Sequence, residues 1–371
     1  MKIRVSRSAL DHALGIVSAC LATKALRPVL QNFKLSAAGT DLEVMATDLE
    51  MSVRHRIDEA EILEPGEVLL PGRQLMDIVR EGRSEKALEI EVADSQCTIT
   101  GQFAHYELSS EDVADFPELP DRKEGGVKIP AGDLAEMVRQ TAFAVAADNP
   151  RAALTGVFVK LETGGVEMVA TDGRRLALSK RPIDGGPEEP QEMIVPCKTL
   201  REVERAISED EQTVRLVTDE HQNQAIFQTE RTLIASVLID AQFPNYKDVL
   251  PKGLDSKVEL NGKKLESAVR QASIMASEDT RAVELAFGEN DLTIRSRAPE
   301  RGEAEVKMQG LEFQGEPLTI SFNPDYLLDV LKVTAVEEED TVTLQFKDPS
   351  TAAQVNKGRQ FVYVIMPIKP A

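Results

Sequence analysis

The sequence predicts an α+β protein made of three tandem copies of one unit, each with two helices and roughly eight short strands. Three observations predict it. The tripeptide Ala-Thr-Asp stands at 46–48 and again at 170–172, both times between stretches of alternating apolar residues, LEVMATDLEMSVR and VEMVATDGRRLALSK. An amphipathic helix pattern recurs three times, with Leu10, Leu134 and Leu265 spaced 124 and 131 residues apart. A strand, turn and second helix also recur, with Leu75, Leu200 and Leu327 spaced 125 and 127 apart. Self-similarity at a domain-sized period decides the architecture before any single residue does.

Each element has its own justification. In the first helices, SRSALDHALGIVSACL, PAGDLAEMVRQTAFAV and NGKKLESAVRQASIMA, apolar residues fall at i, i+3, i+4 and i+11. They are Leu10, Ala13, Leu14 and Leu21, then Leu134, Met137, Val138 and Val145, then Leu265, Ala268, Val269 and Ala276. That spacing predicts one buried stripe running the length of each helix. The hairpin follows, and its third copy, LTIRSRAPERGEAEVKM, has lost the Ala-Thr-Asp. Asp and Thr side chains close tight turns by bonding nearby backbone, so Asp48 and Asp172 are first of all turn residues. EVLLPGRQLMDIVREG, EMIVPCKTLREVERAI and LTISFNPDYLLDVLKV each place a proline before the second helix, where a helix start tolerates it. Each copy is expected to close on a strand pair ending near a proline, at ADFPELP, AQFPNYKDVLP and VIMPIKP. Polar, turn-rich stretches at 121–126 and 252–256 divide the chain into domains 1–124, 125–253 and 254–371.

Composition excludes several classes. A chain of 371 residues holds two or three domains, and 42% apolar with 29% charged residues is ordinary for a globular protein. No apolar run approaches the roughly 20 residues that cross a bilayer, and MKIRVSRSAL has no apolar signal core, so a cytoplasmic location is expected. Cys20, Cys97 and Cys197 are odd in number and widely spaced, which fits small buried thiols better than disulfides or a metal site. His12, His55, His105 and His221 form no ligand motif. No phosphate-cradling glycine loop and no nucleophile elbow occur, so no catalytic residue, metal or cofactor is expected and nothing nominates an enzyme. The formal net charge of −20 argues against gripping nucleic acid by overall charge.

Against that acidity stands a basic helix face. In CKTLREVERAI, Leu200, Val203 and Ile207 form the apolar stripe, while Lys198, Arg201 and Arg205 repeat the spacing two residues earlier. At about 100° per residue the two sets lie on opposite faces. Arg73 and Arg80 repeat the face more weakly in the first copy, with Arg83 nearby, and Arg139 and Arg270 occupy matching places on two of the first helices. The third copy departs, with Asp325, Asp329 and Lys332. An ordinary solvated face gives this pattern; so do helices turning basic faces to a common axis, where phosphate contacts carry no sequence readout.

ATDGRRLA (170–177), FPNYKDVLP (243–251), FNPDYLLDVL (322–331), YVIMPIK (363–369) and TDLEM (47–51) together resemble bacterial DNA polymerase sliding clamps, the beta subunit of the replicative polymerase III holoenzyme. The resemblance covers the whole chain. It implies a head-to-tail homodimer forming a six-domain ring, helices lining the hole, double-stranded DNA threaded through it, and a non-enzymatic processivity role. It implies a peptide groove between the middle and last domains, where the polymerase catalytic subunit, the clamp loader ATPase, and other polymerases and repair proteins compete. Carried over, the groove is lined by Leu154, Thr171, Gly173, Arg174, Arg175 and Leu176, by Pro244 and Val249, and by Val364, Ile365, Met366, Pro367 and Ile368. Core packing accounts equally well for Leu154 and Val364. The resemblance adds Lys24 to the DNA-facing residues, and Phe103 and Tyr106 opposite Ile274 and Met275 to the ring interface. It departs at Asp248, where relatives often carry a basic residue, and in the slightly longer tail IKPA. Two other readings remain: a metal-dependent nuclease or phosphatase, and a peptide-binding scaffold that never encircles DNA.

Overall fold

In a computed structural model of the chain, residues 1–21, 27–93, 96–208, 211–219, 223–277, 281–300 and 302–368 are described. The order strand, helix, strands, helix, strands is written three times. The first pass is β1 (Lys2–Ser6), α1 (Arg7–Val17), β2 (Asn32–Ala38), β3 (Asp41–Thr47), β4 (Met51–Ile57), β5 (Ala60–Glu64), β6 (Gly66–Pro71), α2 (Gly72–Glu81), β7 (Ala87–Ala93), β8 (Gln96–Thr100) and β9 (His105–Ser109). The second is β10 (Val127–Pro130), α3 (Ala131–Thr141), β11 (Gly156–Glu162), β12 (Gly165–Thr171), β13 (Arg175–Pro182), β14 (Gln191–Pro196), α4 (Cys197–Ala206), β15 (Thr213–Asp219), β16 (Gln224–Gln228) and β17 (Thr232–Val237). The third is β18 (Ser256–Asn261), α5 (Gly262–Ser273), β19 (Val283–Phe287), β20 (Asp291–Ala298), β21 (Gly302–Gln309), β22 (Leu318–Phe322), α6 (Pro324–Thr334), β23 (Thr341–Phe346), β24 (Ala353–Lys357) and β25 (Phe361–Ile365).

The chain divides into two compact units, Met1–Ala135 with Lys198–Leu238, and Glu136–Cys197 with Ile239–Ala371. The first holds a five-stranded sheet, β5-β1-β7-β8-β9, and an eight-stranded sheet, β10-β15-β16-β17-β4-β3-β2-β6. The second holds an eight-stranded sheet, β14-β11-β12-β13-β25-β24-β23-β18, and a four-stranded sheet, β21-β20-β19-β22. Both eight-stranded sheets are chimaeras of two copies. The third strand after the first helix of one copy pairs antiparallel with the last strand of the next: β4 with β17, and β13 with β25.

The helices bury the predicted stripe. Leu10, Ala13 and Leu14 on α1, Leu134, Met137 and Val138 on α3, and Leu265, Ala268 and Val269 on α5 are all buried. The stripe is shorter than the sequence suggests. α1 and α3 tighten into 3-10 turns at Ser18–Cys20 and Ala142–Ala144, and α5 stops at Ser273, so Leu21, Val145 and Ala276 lie past the helix ends and are only half-buried. Each copy closes on an antiparallel strand pair, β8 with β9, β16 with β17 and β24 with β25, and its proline lies beyond the second strand. Residues 114–120 and 241–251 are irregular apart from single 3-10 turns, and Pro367 follows the end of β25. A proline has no N–H to give a ladder, so the segment runs past the sheet instead of joining it. Cys20 and Cys97 are buried and Cys197 half-buried, all three as free thiols. Burial pushes the Cys97 thiol up to about 11. Among the described residues, no helix is long and apolar enough to cross a membrane.

Candidate functional site

The repeated Ala-Thr-Asp builds the same turn twice. At the end of β3, the Leu49 N–H donates to Thr47 Oγ1 (3.0 Å), Thr47 Oγ1 donates to the Met51 carbonyl (3.0 Å), and the N–H groups of Glu50 and Met51 donate to Asp48 Oδ1 (3.1 and 2.7 Å). At the end of β12, the Gly173 N–H donates to Thr171 Oγ1 (3.1 Å), Thr171 Oγ1 donates to the Arg175 carbonyl (2.6 Å), and the N–H groups of Arg174 and Arg175 donate to Asp172 Oδ1 (2.9 and 3.0 Å). The turn requires a left-handed residue in its middle. Leu49 takes it at φ 76° and Gly173 at φ 89°. Gly173 has nothing within 4 Å of where a Cβ would stand, so the surface above it is open.

The second turn sits at the β13–β25 join, where Arg175 lies opposite Ile365 and Leu176 opposite Val364. The Met366 N–H continues the pairing to the Arg174 carbonyl (3.0 Å), and the Ile368 N–H turns away to the Ser321 carbonyl (2.8 Å). The residues expected to line a groove separate by depth. Leu154, Thr171, Leu176, Val364 and Ile365 are buried; Arg175, Pro367 and Ile368 are half-buried; Gly173, Arg174, Pro244, Val249 and Met366 are exposed. Leu176 and Val364 belong to one apolar cluster with Ala153, Phe158, Leu178 and Tyr246, against which Phe243 and Leu250 also pack. That cluster brings the turn, the last strand and segment 241–251 together under one surface, with Val249 and Met366 leaving large apolar groups in solvent (50% and 44% exposed).

Arg175 does not lend this surface a free charge. Its guanidinium is turned inward, bonded to Asp172 Oδ2 (3.0 Å), Asp329 Oδ2 (2.8 Å) and the Phe143 carbonyl (2.8 Å), and it lies over the Tyr326 ring at 4.5 Å. Arg174 is the exposed cation of the pair.

The basic helix faces are exposed at every position expected to meet DNA that is described: Arg73 and Arg80 on α2, Arg139 on α3, Lys198, Arg201 and Arg205 on α4, and Arg270 on α5. Lys24 lies outside the described residues. These faces are less bare than the spacing suggests. Lys198 bonds Asp48, Arg205 bonds Glu202 (2.6 Å) and the carbonyls of Gly15 and Ile16 at the end of α1, and Arg270 bonds Glu266 (2.6 Å). The cations of these pairs are 50–60% exposed, and pairs open to solvent on one side are worth about 0–1 kcal/mol each. Burial alone would lower the Lys198 ammonium, but its bond to Asp48 outweighs that and raises it. Phe103 (72% exposed) precedes β9 and Ile274 (66% exposed) follows α5, while Tyr106 and Met275 are half-buried.

Known proteins share this fold. Family models for the DNA polymerase III beta subunit match the N-terminal domain at residues 1–120, the central domain at 128–245 and the C-terminal domain at 247–369. The beta sliding clamps of Pseudomonas aeruginosa and Salmonella typhimurium are each 30% identical over 372 residues, with both chains covered in full. The crystal structure of the P. aeruginosa subunit superposes with a TM-score of 0.90 at 30% identity, and that of the Bacillus subtilis clamp with 0.92 at 26%, both over full length. This chain belongs to the DNA polymerase III beta-subunit family. It is a DNA sliding clamp, a processivity factor of replication.

Several residues that shape this clamp were not legible beforehand. Asp329 reads in the sequence as an acidic blemish on a basic face, but its carboxylate holds Arg175 and Lys332. Tyr246 reads as part of a motif, but its hydroxyl is buried against Glu167. Arg175 lies 154 residues from Asp329 and Glu167 lies 79 from Tyr246, so only the fold could pair them. Among the described residues no group of three His, Cys, Asp or Glu side chains is placed to hold a metal ion.

Proposed function

We propose that two copies of this clamp, with functional domains 1–124, 125–253 and 254–371, close head to tail into a six-domain ring around duplex DNA. The recurring seam carries this reading. Within the chain, the third hairpin strand of each of the first two copies pairs with the last strand of the next copy. The remaining members of that series, β21 in the third copy and β9 in the first, are terminal strands of their sheets. Pairing β21 of one protomer with β9 of its partner repeats the same seam and leaves neither of these two edges open, and a head-to-tail contact of this kind closes after two chains. The exposed Phe103 and Ile274, with Tyr106 and Met275, lie next to these elements and form the apolar part of that contact.

The basic faces of α2, α3, α4 and α5 line the hole and touch phosphates without reading sequence, so retention is topological and the −20 charge is no obstacle. The exposed surface at the β13–β25 join receives short, partly apolar peptide segments of the replicative polymerase, the clamp loader ATPase, and other polymerases and repair proteins. Val249 and Met366 contact the apolar anchor, and Gly173 permits close backbone approach. The protein catalyses no reaction, needs no cofactor, and works in the cytoplasm.

The test is retention on DNA. The protein is loaded onto nicked circular DNA by a cognate clamp loader with ATP, isolated by gel filtration at high salt, and the circle is then cut with a restriction enzyme. Retention on the circle with release from the linear form is expected. Equal behaviour on both forms would overturn encirclement and favour a scaffold that does not enclose DNA.

A further inference from the structure

Segment 241–251 carries two of the exposed groove residues, Pro244 and Val249, yet it is not part of the sheet. Its backbone hydrogen bonds among the described residues are local: Ala241 to Ile239, Asp248 to Asn245, and Val249 to Tyr246. Side chains therefore hold it in place. Phe243 stacks on Phe158 with ring centroids 5.0 Å apart, and Tyr246 leans on the same ring at 5.8 Å. Apolar stacking attracts, but it tolerates sliding. The one polar side-chain tether from this segment to the sheet, among the described residues, is the Tyr246 hydroxyl, which donates to Glu167 Oε1.

Both partners are buried, Tyr246 at 7% and Glu167 at 8% exposure. Glu167 sits on β12, and its other oxygen takes the ammonium of Lys180, its cross-strand neighbour on β13. The carboxylate is thus held by the two strands that carry the Thr171–Arg175 turn. A bond to an ionised acceptor with little water access is both strong and directional. Tyr246 accordingly fixes the height and register of the segment against the turn.

We propose that Tyr246 and Glu167 are positioning residues for the peptide groove: their buried hydrogen bond presets the wall bearing Pro244 and Val249 against the wall bearing Gly173 and Met366. The proposal rests on the groove reading above. A preset wall saves the ordering cost that a mobile segment would charge on binding, so loss of the bond should appear mainly as faster peptide release.

The probe is a fluorescein-labelled, short, partly apolar clamp-binding peptide of the cognate polymerase catalytic subunit, titrated by anisotropy against the full-length protein. Wild type should bind, and Met366→Asp should not. If wild type fails to bind, or Met366→Asp binds as well as wild type, the groove reading fails. With that established, Tyr246→Phe should weaken binding about 5- to 20-fold, chiefly through the off-rate. Glu167→Gln keeps an acceptor oxygen and should stay within about threefold of wild type, whereas Glu167→Ala should match Tyr246→Phe. The double variant Tyr246→Phe with Glu167→Ala should lose no more than either alone. Hydrogen exchange of residues 241–251 should accelerate in Tyr246→Phe while exchange in β12 and β13 stays unchanged. Peptide affinity equal to wild type in Tyr246→Phe, or additive losses in the double variant, would overturn the proposal. A merely structural role would instead lower the melting midpoint of all variants without changing the off-rate of the folded fraction.

Discussion

Arg175 Nη1 meets Asp329 Oδ2 at 2.8 Å, and this single pair ties the turn of the middle copy to α6 of the last. Only 9% of the arginine side chain is exposed, and its Nε and Nη2 donate to Asp172 and the Phe143 carbonyl. Removing one member of a half-buried pair strands the other, at a cost of about 2–3 kcal/mol. Arg175→Ala should therefore lower the urea midpoint of the transition that unfolds residues 136–197 and 239–371. Asp329→Asn, which keeps an acceptor oxygen, should cost less, about 1–2 kcal/mol. Equal and negligible shifts in both variants would show that the pair is not structural.

Leu49 and Gly173 occupy the same left-handed position in the two turns, and only one of them is a glycine. A non-glycine residue held there costs about 1 kcal/mol, and Leu49 is 51% exposed, so its side chain returns little by burial. Leu49→Gly should be neutral or stabilising by about 0.5–1 kcal/mol. Gly173→Leu should destabilise by a similar amount and also cover the open surface, reducing peptide affinity well beyond the change in stability. Thermal midpoints and peptide titration on both variants check the contrast.

His55 is 6% exposed, with Nδ1 bonded to Thr232 Oγ1 (2.9 Å) and its ring edge-on to His12 at 5.8 Å, beside a recess of about 400 Å³ that Arg56, Asp58 and Arg231 also line. Burial first, then the neighbouring His12 and Arg231, push its imidazole down to about 4. The unfolded chain takes up this proton near the ordinary histidine value of about 6.5, while the folded one does not until about 4. Stability from this residue is therefore whole above about pH 6.5, falls as pH drops toward 4, and stays lost below; the total is on the order of 2–3 kcal/mol. His55→Gln should flatten the stability profile between those limits relative to wild type. Parallel profiles for the two proteins would refute the assignment.

Charge reversal at Lys198, Arg201 and Arg205 separates the DNA face from the groove. Lys198→Glu, Arg201→Glu and Arg205→Glu together should weaken loading onto circular DNA several-fold, while the peptide titration stays unchanged. Peptide binding that falls in step would show that the stripe serves the fold and not DNA. Arg73→Glu with Arg80→Glu gives a second route to the same result.

The linear order already determined a good deal. The spacing of Leu10, Leu134 and Leu265 set three copies, because a helix needs a continuous apolar stripe and a strand an alternating one, and both periods are local. The two Ala-Thr-Asp turns were equally local: every hydrogen bond closing them spans at most four residues. The tertiary structure decided where helices stop short of their stripes, which strands of different copies join, and which charges are free. Arg175 finds Asp329 across 154 residues, Tyr246 finds Glu167 across 79, and Lys198 finds Asp48 across 150. No periodicity encodes such pairs. They arise only once the strands of different copies have paired and segment 241–251 has packed on its sheet, and each polar group then finds whatever partner the folded chain has brought within reach.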